Sequence, residues 1–199
     1  MKNNENTQFM DNVIEVLKKA VIEVEEFQVQ ASLGKVEAQD KFEEIKKKFN
    51  LFIHDSKFKI KVGKEKIDDI HTVFDELRVQ LALGKAETIE AFNAQKKQLL
   101  LTLHELEVKI KTNETLKRIY AFVLIEIEKF KIHLNTFEQR FNQDKDEAKI
   151  SFEKGKQEFN QFIDNIKSKY TKKEVTKWEH FQDEVSEAFT HLKLAFAKS

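Results

Sequence analysis

The 199-residue chain has no cysteine and no proline, and only four glycines. Without cysteine there is no disulfide, no thiolate nucleophile and no zinc–thiolate site. Without proline, and with so little glycine, the composition offers few helix breakers. Abundant Lys, Glu, Gln, Ala and Leu favour long helices. An excess of one charge is also missing, since 35 basic residues balance 35 acidic ones and leave no global field that would favour nucleic acid. The opening Met1-Lys2-Asn3-Asn4-Glu5-Asn6 is not an apolar leader, and no stretch has the length of a bilayer-spanning helix. A soluble, cytoplasmic protein is the expectation.

Catalytic signatures are equally scarce. There is no glycine-rich phosphate loop and no nucleophile elbow. A di-iron helical site needs two Glu-x-x-His motifs. The nearest approach is a single Asp68-x-x-His71, and Glu187 with His191 reads as an exposed pair at four-residue spacing. The other histidines, His54, His104, His133 and His180, are scattered along the chain. Glu25-Glu26 and Glu43-Glu44, with Lys47 and Lys48 at helical spacing after the second pair, describe a solvated, ion-paired face. The sequence therefore predicts no enzyme activity, no cofactor and no metal.

What the chain does have is an internal repeat and eighteen phenylalanines. Segments around 27–53, 77–103 and 137–163 align without gaps, pairing Phe42, Phe92 and Phe152. Val29-Gln30-Ala31-Ser32-Leu33-Gly34-Lys35 falls against Val79-Gln80-Leu81-Ala82-Leu83-Gly84-Lys85, and a truncated fourth copy reads Leu192-Lys193-Leu194-Ala195-Phe196-Ala197-Lys198. A repeat of this length is one supersecondary unit stacked on its copies.

Apolar residues recur in steps of three and four through Leu17, Val21, Val24, Phe27, Ala31, Gly34, Ala38, Phe42 and Ile45, with no slip at the glycine. The second copy passes through Gly84 and the third through Asp144 in the same way. Leu-Gly-Lys would alternatively end one helix and start a tight turn, but a turn normally resets the phase, so Gly34 and Gly84 are predicted inside continuous helices. Turns are placed instead at Lys61-Val62-Gly63-Lys64, Lys111-Thr112-Asn113-Glu114 and Thr171-Lys172-Lys173-Glu174, where capping residues collect. The predicted fold is one all-α domain over 1–199, an elongated antiparallel bundle or coiled coil of three long helices (5–60, 66–111 and 114–170) and a shorter one (172–198).

Two consequences for function follow from that layout. Lysines near the first and third turns make one pole basic, as helix-end capping requires. Leu100, Leu101, Tyr120, Phe122, Leu124 and Ile125 are more apolar than a single seam needs, in a half of the bundle with only three helices. A first helix lying across them would bury them; otherwise they form a contact surface. The expected function is a non-enzymatic scaffold or interaction protein, a homodimer or a partner of another helical protein. A lipid- or membrane-surface-binding helical protein is the alternative.

Overall fold

A computed structural model describes residues 2–60, 68–112 and 116–142, together with helical positions 156, 157, 159–161, 163–165, 168, 185, 187, 189 and 190. These residues are predominantly helical, and no strand occurs among them. Five helices are bounded: α1 (Lys2–Leu33), α2 (Lys35–Lys59), α3 (Asp68–Leu81), α4 (Ile89–Lys111) and α5 (Lys117–Asn142).

The expected continuous helices 5–60 and 66–111 are each broken in two, at the glycines predicted to lie inside them. Gly34 alone separates α1 from α2, with extended backbone at φ 167°, ψ 173°. The chain doubles back there: Phe27 and Phe42, on opposite sides of the glycine, bring their ring centroids within 6.5 Å. In a straight helix these residues would be about 22 Å apart. Ala31 and Ala38 flank the corner and are both buried, so the arms approach closely where side chains are smallest. The second break spans residues 82–88, ending at Thr88, whose hydroxyl accepts the Ala91 N–H at 3.2 Å as the N-cap of α4.

Asp144 and the turns predicted at 61–64 and 171–174 lie outside the described residues, as does Asn113. Thr112 does close α4, its N–H bonded to the Val108 carbonyl at 3.1 Å. The expected helix 114–170 is nonetheless not one straight rod. Lys156 pairs with Glu25 at 2.5 Å, whereas Glu23 meets Lys129 and Phe27 meets His133. Lys156 is therefore level with residues near 131, which a straight helix would place about 37 Å away.

Packing follows from these reversals. α2, α3, α4 and α5 form a closed ring in which each touches the next, and α1 lies in the groove between α2 and α5. α1 runs parallel to α5, with Phe9 against Phe122 at 5.6 Å at one end and Phe27 against His133 at 5.0 Å further along. α2 runs antiparallel to α5, since Phe49 stacks on Phe130 at 4.4 Å and Phe42 on Phe137 at 4.6 Å. Between α2 and α3, Lys57 bonds Asp75 and the Arg78 guanidinium donates to Asn50 Oδ1.

Phenylalanine makes this core possible without leucine zippers. Phe42 lies within 6.5 Å of Phe27, Phe92, Phe130 and Phe137, joining α1, α2, α4 and α5 at one point. Each fully buried ring of this size contributes roughly 1.5–3 kcal/mol over an exposed one. α5 is the shared element, and two lysines on it tie down its neighbours. Lys129 bonds Glu23 of α1 and Glu126, while Lys131 bonds Glu107 of α4 and Glu128. Burial pushes Glu126 and Glu107 above the usual carboxylate range, against the pull of those lysines. The pairs fix register at little net gain, as desolvation offsets attraction.

Lys46 and Lys48, two of the lysines expected to make one pole basic, take part in similar contacts. Lys46 is buried and donates from α2 to the Leu83 carbonyl at 2.7 Å, just past the end of α3, and to Glu43 at 3.0 Å. It satisfies an acceptor that the broken helix leaves without an intrahelical partner. Lys41 and Lys48 converge on Glu44, and their hydrogen bonds hold its carboxyl down at about 2.

Candidate functional site

The six residues predicted as an interaction surface divide three ways. Tyr120, Leu124 and Ile125 are buried in the core of the folded chain, Leu100 and Phe122 are partly buried against it, and Leu101 is exposed. The physical reason is α1, which lies along α5 from Phe9 onward, the covering by a first helix that the sequence left open as the alternative to a contact surface.

Exposed apolar side chains collect elsewhere, at the two broken turns. Val29 and Leu33 end α1 at 56% and 60% exposure; their repeat equivalents Val79 and Leu83, at and just past the end of α3, stand at 67% and 46%. Val36, opening α2, is 67% exposed. In both copies the Val and Leu lie four residues apart and exposed; Val29 and Leu33 share one face of α1, whereas Val79 lies on α3 and Leu83 in the bend beyond it. Gly34 and Leu83 belong to the same end of α2, because Gln39 donates to the Ala86 carbonyl and Lys46 to that of Leu83. Neither turn needs these side chains for burial.

A second feature is a cleft of about 240 Å³ enclosed by α1, α2 and α5. Ile45, Phe49, Phe52 and Phe130 provide its apolar wall, with Phe49 nearly parallel to both Phe52 (13°) and Phe130 (11°). Six charges surround it in equal number: Glu23, Glu26 and Glu126, and Lys41, Lys48 and Lys129. Its floor is His133, only 1% exposed, its ring set edge-on against Phe27. Neither imidazole nitrogen makes a well-formed hydrogen bond, although the Glu23 backbone lies near enough to favour the charged ring slightly. Burial, with Lys129 adding to it, drives the His133 pKa from 6.5 down to about 3, so the ring is neutral at physiological pH and offers one donor and one acceptor.

The available signal was its spacing: His133 stands three residues from Phe130 and four from Phe137, on the face of α5 that also carries Leu134. Among the described residues no group of three or more His, Asp or Glu side chains is placed to hold a metal ion. No helix among them is long and apolar enough to cross a membrane. His191, half of the Glu187/His191 pair, lies outside the described residues.

Comparison of the chain with known protein families, with curated proteins and with solved structures gives no match.

Proposed function

We propose that this is a non-enzymatic helical interaction protein that assembles with a second copy of itself through the Leu-Gly-Lys turns. The observation that supports this reading is the duplicated pair Val29/Leu33 and Val79/Leu83, about half to two-thirds exposed in both repeats although the core is closed without them. A surface carrying the same apolar pair twice suits self-association about a two-fold axis, because each turn can meet its equivalent on the other copy. The interface proposed from sequence at Leu100, Leu101, Tyr120, Phe122, Leu124 and Ile125 gives way to this one, as only Leu101 of that set is free for a partner.

Light scattering after size exclusion tests the proposal. The unmodified protein should be a dimer at tens of micromolar, and Leu33→Glu with Leu83→Glu should give a monomer of unchanged helicity. A monomeric unmodified protein at high micromolar concentration contradicts it. The alternative, attachment to a lipid surface, rests on the same exposed side chains with Lys35 and Lys85 beside them, and it predicts cosedimentation with anionic vesicles that weakens with salt.

A further inference from the structure

We propose that the cleft between α1, α2 and α5 binds a small, uncharged aromatic molecule carrying one hydrogen-bonding group, of the phenol or indole class, with the His133 imidazole as its polar anchor. This inference rests on the cleft alone and stands apart from the dimer reading.

Three observations define the ligand. The first is size: an apolar cavity of about 150 Å³ suffices for benzene, and a cleft of about 240 Å³ has room for one or two fused rings. The second is shape. Phe49 lies within 13° of parallel to both Phe52 and Phe130, a stack of aromatic rings along the wall that suits contact with a further aromatic ring.

The third is polarity, which excludes ions. Lys129 is already held by Glu23 at 2.6 Å and Glu126 at 2.8 Å, and Lys41 and Lys48 each by Glu44 at 2.8 Å. No lining cation is left over for an anionic ligand, and the lining charges cancel. The one unmet demand is that of His133, a neutral ring at the floor whose nitrogens make no well-formed hydrogen bond, with only the Glu23 backbone close to one of them. A buried polar group without a partner is rare in folded proteins and calls for one. A hydroxyl or ring N–H supplies it by donating to the imidazole nitrogen that carries no proton. Aromatic molecules lacking such a group would leave His133 as it is, so the site discriminates by hydrogen bonding.

Titration calorimetry on the full chain with phenol, indole, benzene and benzoate provides the test, accompanied by ¹⁵N shifts of the His133 ring. Phenol and indole should bind at least about ten-fold more tightly than benzene, benzoate should bind more weakly than phenol, and a ring nitrogen of His133 should shift on binding. His133→Leu should lose that preference for phenol over benzene. Ile45→Trp, which plugs the cleft from α2 and leaves His133 in place, should lose all binding, and it decides the matter if His133→Leu does not fold. Equal binding of phenol and benzene, tighter binding of benzoate, or no binding at all with the cleft holding only water would overturn the proposal.

Discussion

Acidification should destabilise the protein through His133, by an amount the structure sets. At about pH 8 the ring is neutral in both folded and unfolded chains. Below the ordinary value of 6.5 the unfolded chain takes up a proton that the folded chain refuses until about 3. The unfolded state binds more protons in that window, so stability falls with pH, by about 2 kcal/mol between pH 8 and pH 5. The groups facing the ring are Glu23 and Glu26 from α1, Lys41 and Lys48 from α2, and Glu126 and Lys129 from α5. Glu126, whose pKa is raised, works in the opposite direction, gaining stability as pH falls toward its folded value. His133→Leu removes the histidine contribution and keeps the others, so the difference between the two proteins isolates it. Urea unfolding followed by helical circular dichroism should find the leucine variant at least as stable at about pH 8, because a buried imidazole without a well-formed hydrogen bond is gone. Its advantage should grow by about 2 kcal/mol at pH 5. An advantage that stays constant with pH would refute the burial of a neutral His133.

Two substitutions probe the rest of the core and the corner. Phe130→Ala, which removes a ring stacked on both Phe42 and Phe49, should cost about 3–5 kcal/mol in denaturant unfolding, and a loss under about 1 kcal/mol would mean that this junction is not packed as described. Gly34→Ala should change stability by less than about 1 kcal/mol, because the backbone there is extended and the added Cβ meets only the flexible Glu37 carboxylate; a larger loss in the same assay would reveal a left-handed glycine.

Much of the helical character was legible in the sequence, and the reason the glycine turns were not is geometric. Around Gly34 the buried positions Val24, Phe27 and Ala31 mirror the buried Ala38 and Phe42 and the partly buried Ile45 in steps of four and three. A seam with that symmetry reads the same whether the chain continues or folds back, as long as the turn adds no extra residues, and a one-residue turn adds none. Both arms also face α5, so both keep their apolar side inward. The second break carries its own signal: Thr88 followed by Ile89-Glu90-Ala91 has a capping hydroxyl and an acid in the first turn. Whether Tyr120, Leu124 and Ile125 are core or surface depended on how far the first helix lies across them, and α1 lies along α5 there. The His133 cleft could not be read at all, because it depends on α1, α2 and α5 meeting, and that meeting depends on the corner at Gly34.

The exposed turns and the cleft therefore both require the chain to reverse at Gly34, and one distance tests it. Lys19 on α1 and Leu51 on α2 are both exposed, and the pairing of Phe27 with Phe42 puts them at matching levels of the two arms. Spin labels at these two positions, read by pulsed dipolar spectroscopy, should lie within about 25 Å, allowing for label arms on helices whose axes pack 8–10 Å apart. A continuous helix would separate them by about 48 Å, and a distance distribution centred there would contradict the account.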